Sequence, residues 1–197
     1  MKRVVSFSLY GSKPMYLVGA IRNAEQISSL HPGWIARYYV GWSIPDELIT
    51  ELLLKGGEVI RKDGPEDPSA MFWRFEVFQD PTVGWAMIRD CDSRFSLRES
   101  AAVHEWIRSG KDFHIMRDHP AHNCAILGGL WGARTSALGN IAGLLAGFEP
   151  EGRYGEDQDF LRDHVYPLTR GKAVIHDSFF GRELVARQFP TRRTGSE

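Results

Sequence analysis

VGWAMIRDCDSR, residues 83–94, joins an apolar run to an acidic turn. The run from Val83 to Ile88 is short and rich in apolar and aromatic side chains, which reads as a buried strand. Asp90 and Asp92 follow it two residues apart, and in extended chain residues i and i+2 point to the same side. Two carboxylates on one side, beside a core, repel, and each resists ionising. A divalent cation relieves that repulsion, and hard oxygen ligands suit Mn²⁺ or Mg²⁺. A strand end followed by a solvated acidic turn is the other reading. A D-x-D triplet alone does not decide between them, so the surrounding chain must.

Toward the N-terminus, residues 4–10 (VVSFSLY) read as a strand broken by Gly11-Ser12-Lys13-Pro14. A helix follows, with Leu17, Ile21, Ala24 and Ile27 on one face. Residues 34–40 (WIARYYV) form a second strand. Ser43 suits the cap and Pro45 the first turn of a helix whose apolar face is Ile44, Leu48, Ile49, Leu52 and Leu53. A short strand at 58–60, a polar loop at 61–69 and an aromatic helix at 71–78 (MFWRFEVF) lead into the central run. The order β-α-β-α-β-α-β predicts an α/β domain: a mostly parallel, Rossmann-like sheet with right-handed crossovers and helices on both faces. Ligands of such sheets bind beyond the carboxyl ends of the strands, where Asp90 and Asp92 fall.

Toward the C-terminus, Ser96-Leu97-Arg98-Glu99 is a capping box that opens a helix to about residue 109. A strand at 113–116, an apolar run at 123–130, helices at 138–145 and 156–165, and a last strand at 173–175 follow. The domain is expected over residues 1–186, with a polar, frayed tail at 187–197.

Four polar clusters follow apolar runs and could converge at one rim of the sheet. The first, residues 89–94, offers Arg89 and Arg94 to phosphate oxygens, and Arg117 in the second offers the same chemistry. The second, 114–122, also holds Asp118 and His119 as candidates for a sugar or phosphate. Zinc is disfavoured there because Pro120 spoils the helical pairing of His119 and His122. The third, 154–159, places Glu156 and Asp157 in one helical turn, as a helix cap or as a catalytic base. The fourth contains His176, which is either structural or a metal ligand of a kind that suits Mn²⁺. Gly128-Gly129 permits close backbone approach to a ligand, and Trp131 either stacks on a sugar or fills the core.

Hydrophobic content of 43% is enough for one core, and a net charge of −1 argues against general nucleic-acid binding. There is no apolar run of membrane-spanning length and no signal-peptide pattern. A cytoplasmic protein is expected, or one peripheral to the inner membrane, with Cys91 and Cys124 reduced.

The ordered set of clusters resembles the nucleotide-sugar glycosyltransferases of the GT-A fold, over residues 4–180. Asp90-Cys91-Asp92 resembles their D-x-D metal site, Gly128-Gly129 their small-residue segment beside the acceptor, and residues 155–158 (GEDQ) their acidic helix start, which adds Gln158 as an acceptor contact. His176 lies where several members place a late metal-binding histidine. RDxDSR, HIMRDHP and GGxWG are similar to stretches of small bacterial proteins of capsule and surface-polysaccharide synthesis. The resemblance implies a metal-dependent transferase with Mn²⁺ or Mg²⁺ on Asp90, Asp92 and His176, a nucleoside diphosphate sugar as donor, and a saccharide or lipid-linked acceptor. It allows for a homo-oligomer or a polysaccharide-assembly partner. The alternatives are a non-catalytic sugar- or nucleotide-binding module of such an assembly, and a metal-dependent phosphohydrolase or nucleotidyltransferase using the same carboxylates.

Overall fold

Val83–Arg89 forms the strand its composition demands, and it lies at the centre of the molecule. Its side chains alternate as a period of two requires. Ala86 and Ile88 enter one apolar cluster, and Met87 enters the other, across the sheet. In the computed structural model, which describes residues 1–193, this strand is β4 of a seven-stranded sheet. The others are β1 (Lys2–Leu9), β2 (Trp34–Val40), β3 (Glu58–Arg61), β5 (Phe113–Arg117), β6 (Leu130–Arg134) and β7 (Ala173–Asp177). Their order is β3-β2-β1-β4-β6-β5-β7. All neighbours pair in parallel except β6, which runs against both β4 and β5.

Helices α1 (Pro14–Leu30), α2 (Asp46–Leu54) and α3 (Leu97–Ser109) bring Ala20, Ala24, Ile27, Leu52 and Trp106 to one face. The other face is covered by the segment Pro68–Gln79, α4 (Ile141–Ala146) and α5 (Glu156–Phe160). There Phe72, Phe75, Phe148 and Phe160 stack around one another. Two layers of helices on one mostly parallel sheet match the expected α/β class.

Several local expectations are corrected. The aromatic helix is a run of 3-10 turns, and the expected 156–165 helix changes after α5 into a π-helical turn, Leu161–Val165. Ser43 does not cap α2, whose N-cap is Pro45. It accepts from Gly11 N (2.8 Å) and donates to Glu66 instead. The capping box is half made: Ser96 Oγ accepts from Glu99 N at 3.1 Å, while the Glu99 carboxylate takes Arg89 (2.6 Å). The expected tail is docked as far as residue 193. Phe189 is buried, the backbone of Arg187 pairs with β7 (Arg187 N to Ile175 O, 2.9 Å), and Thr191 O accepts from Arg98. Its last four residues lie outside the described ones. No described helix is long and apolar enough to cross a membrane.

His31 is fully buried against Phe95 and Trp34, and neither ring nitrogen finds a partner. Burial, helped by Arg89, pushes its pKa down to about 3. A depressed histidine contributes stability that is complete above the unfolded value of ~6.5 and is lost as pH falls toward the folded one. His31→Phe should therefore stabilise the protein by about 1–3 kcal/mol at pH 7, by removing two unpaired buried polar atoms. It should also flatten the decline of stability below pH ~6.5. Urea unfolding of parent and variant at pH 7 and pH 5 measures both, and a variant less stable at each pH contradicts this account.

Candidate active site

The carboxyl ends of β1 and β4 open into a cleft of about 620 Å³. Its walls come from the start of α1, the loop before the 3-10 segment, the residues preceding β6, and α5. The reversed direction of β6 matters here. Arg89 pairs with Leu130, so Gly128-Gly129, at the start of β6, arrive beside Asp90, at the end of β4. There is no room for a side chain. A Cβ on Gly129 would collide with the Asp90 carboxylate, and one on Gly128 with Asp157 and, at 2.8 Å, with Arg74 Nη2. The glycine pair is therefore required by close approach to the carboxylates.

Arg74 joins the two sides of the cleft. Its backbone is fixed to β1, since Ser6 Oγ donates to Arg74 O (2.7 Å) and Arg74 N donates to Ser8 Oγ (3.0 Å). The residue is 3% exposed, and its guanidinium donates to Asp90 through Nη1 and to Asp157 Oδ2 through Nη2, the latter at 2.6 Å. Burial works against the charge, yet the two carboxylates outweigh it and hold the guanidinium above the ordinary arginine range. Sequence reasoning missed Arg74. The signal was one arginine inside MFWRFEVF, a run otherwise bound for the core, where a buried charge needs partners.

Asp92 is exposed at the cleft wall. Partial burial and then the neighbouring Asp90 raise its pKa, the crowding expected of the pair. Tyr10 also lines the cleft, and burial pushes its phenol up to about 12, so it stays a hydrogen-bond donor. On the floor, Glu66 accepts from Gly11 N (3.1 Å) and Ser43 N (2.8 Å), tying the ends of β1 and β2 together.

The expected site residues divide into two groups. Asp90, Asp92, Gly128, Gly129, Asp157 and Gln158 line the one cleft. The rest lie outside it. His176 sits on β7, three strand spacings or roughly 14 Å from β4. It is fully buried there, paired with Glu105 Oε2 (3.1 Å) and His114 Nε2 (2.9 Å). Burial lowers both histidines, which fits a neutral His176 donating to Glu105 and accepting from His114. Arg89 is buried against Glu99. Arg117 is buried against Asp177 (3.1 Å) and Glu183 (2.8 Å) and donates to the carbonyls of Cys124 and Ala125. Arg94 folds back on Cys91 O (2.9 Å) and Ser93 O (2.8 Å). Asp118 pairs with Arg98 (2.6 Å), and His119 accepts from Ala121 N on the outer surface. Trp131 is core, stacked on Phe78. Glu156 is buried and accepts from Glu151 N (2.9 Å) and Gly152 N (3.1 Å), so it pins the preceding loop. Among the described residues no three His, Cys, Asp or Glu side chains are grouped to hold a metal by themselves.

Solved structures share this architecture. A mannosyltransferase from Pyrobaculum calidifontis, in complex with GDP-Man and Mn²⁺, superposes with a TM-score of 0.62 at 10% identity, over 90% of this chain and 55% of its own. Glucosyl-3-phosphoglycerate synthase from Mycobacterium tuberculosis, in complex with UDP, gives 0.52 at 15% identity, over 97% and 73%. The fold is that of the GT-A glycosyltransferases. A cytidylyltransferase from Leptospira borgpetersenii shares it at a TM-score of 0.56 and 12% identity, over 97% and 82%. This chain spans little more than half the length of the mannosyltransferase. No protein-family model matches its sequence, and no curated protein does.

Arg74→Met leaves Asp157, itself 3% exposed, without its counter-charge. Breaking one partner from a buried pair costs about 3–5 kcal/mol. Denaturant unfolding should show that loss, and Asp157→Asn added to Arg74→Met should recover part of it. A single variant as stable as the parent would mean that the pair does not hold the two sides together.

Proposed function

We propose that the chain is a metal-dependent glycosyltransferase that moves a sugar from a nucleotide-sugar donor to a saccharide-type acceptor. The observation that carries this reading is the meeting of Asp90 and Asp92 with Gly128-Gly129 and Asp157 in one cleft at the carboxyl ends of the strands. The resemblance of RDxDSR, HIMRDHP and GGxWG to surface-polysaccharide proteins supports a saccharide as acceptor.

The residues present fit a divalent cation. Mg²⁺ and Mn²⁺ are commonly bound by one or two carboxylates together with substrate phosphates. Asp92 would be the main ligand, because Arg74 occupies one oxygen of Asp90. The cleft is rich in carboxylates, so a diphosphate needs a cation to enter it. When bound, the metal would neutralise charge on the departing nucleoside diphosphate. Lys13 and the N-terminus of α1, which carries no acidic residue in its first turn, favour the donor's phosphates. Tyr10 offers a neutral hydroxyl donor. Asp157 keeps Oδ1 clear of the Arg74 pair, and that oxygen would receive the proton of the acceptor hydroxyl. The Gln158 amide and the backbone at Gly128-Gly129 would orient the sugar. A nucleotidyltransferase is the second reading, favoured by the 82% coverage of the cytidylyltransferase.

Thermal-shift assays with UDP, GDP and CDP, with and without Mn²⁺, test the proposal. A nucleotide at 100 times its Kd raises stability by about 2.7 kcal/mol. The increment should require Mn²⁺ and disappear in Asp92→Asn, whose own melting temperature should hold or rise as repulsion with Asp90 is relieved. The increment should weaken as pH falls through the raised Asp92 value, above the ordinary ~3.9 of aspartate. With His176 outside the cleft, its titration should add no step of its own to that dependence. An Asp92→Asn protein with the full Mn²⁺-dependent increment rejects the metal site. Sugar nucleotide formation from CTP and a sugar 1-phosphate, without transfer from sugar nucleotides, selects the second reading.

A further inference from the structure

We propose that the acceptor unit bound in this cleft is electrically neutral, a hydroxyl-bearing sugar or polyol without phosphate or carboxylate. The inference rests on the glycosyltransferase reading and deepens it by naming the class of acceptor.

The cleft is lined by five carboxylates, Glu66, Asp67, Asp90, Asp92 and Asp157, against two cations, Lys13 and Arg74. Arg74 is committed to Asp90 and Asp157. Lys13 stands on the other side, at the start of α1, where the donor's phosphates belong. The residues before β6 and those around Asp157 add His122, Leu127, Gly128, Gly129, Tyr154 and Gln158 to the lining. Burial, then the neighbouring His119, lowers the His122 pKa, and its Nδ1 accepts from Asp118 N (3.3 Å), so this ring is neutral near pH 7.

Arginines of the surrounding loops are engaged elsewhere, and Arg193, near enough to His122 to help lower its pKa, lies over the Phe179 ring. Arg117 is taken by Asp177 and Glu183, Arg182 by Asn123, and Arg153 by Asp159 at 2.7 Å. A divalent cation and a donor diphosphate carry opposite charges of similar size, so loading both leaves the carboxylate excess in place. An anionic acceptor would approach Asp157 against that excess, where like charges oppose binding. A neutral hydroxyl meets no such field and finds carboxylate and amide acceptors for its hydrogens. Tyr154, 80% exposed at the mouth, offers an aromatic face to a sugar ring.

Matched acceptor pairs decide the matter: glycerol against glycerol 3-phosphate, and methyl glucoside against glucose 6-phosphate, with UDP-glucose or GDP-mannose and Mn²⁺. The neutral member should show kcat/KM at least about tenfold higher at low salt, with the gap closing as salt screens the carboxylates. Gln158→Lys should move the ratio toward the phosphorylated member. Preference for the phosphorylated member by the parent overturns the inference and leaves transfer intact. If neither member is glycosylated, saturation-transfer NMR on protein loaded with Mn²⁺ and whichever of UDP, GDP or CDP stabilises it reads binding instead. Signal from the neutral members alone upholds the inference. Equal or stronger signal from the phosphorylated members, or none from either class, overturns it. Failure to load any nucleotide counts against the glycosyltransferase reading itself.

Discussion

The pairing of Arg74 with Asp90 and Asp157 is the constraint on which the cleft depends. A guanidinium removed from water is costly unless its charge is matched and its hydrogens are satisfied. Here the match is drawn from two distant parts of the chain, the end of β4 and the first turn of α5. Each supplier is then restricted. Gly128 and Gly129 must lack side chains to fit against the same carboxylates, and the buried Ser6 must reach the backbone of the 3-10 segment to hold Arg74 in place. The interaction sets the width of the cleft as well as contributing to its stability.

The direction of β6 turns that constraint into a site. Were β6 parallel, its first residues would lie at the opposite end of the sheet from Asp90. Running backwards, it delivers a stretch of bare backbone to the rim where the parallel strands end. Charged groups behind the rim serve other purposes. Arg89 with Glu99, and His176 with Glu105 and His114, join the sheet to α3, with Arg89, His114 and His176 themselves buried.

Much of the fold was legible because its signals are local. The alternation of strands and helices through β4 follows from periodicity, and D-x-D at the end of an apolar run located the cleft. What could not be read was lateral. Nothing in residues 173–177 says that β7 lies three strands from β4, so His176 was assigned to a site it does not reach. Arg89 and Arg117 show a charge in the sequence, but their partners, Glu99, Asp177 and Glu183, are apparent only after folding. β6 was hidden by its two leading glycines, which read as a turn. Trp131 resolved toward the core, because alternation in β6 turns it onto Phe75 and Phe78.

Arg117 has a consequence for how such a chain can diversify. It grips the carbonyls of Cys124 and Ala125 from within the core and so anchors the loop just ahead of Gly128. The stretch before that grip, His119 to Asn123, is largely exposed. Extra residues inserted there would extend one rim of the cleft without disturbing the anchor. Doubling a loop's length adds only ~0.6 kcal/mol of closure entropy. The rim of the cleft can therefore be rebuilt by insertion on one side of the clamp while the carboxylates on the other side keep their places.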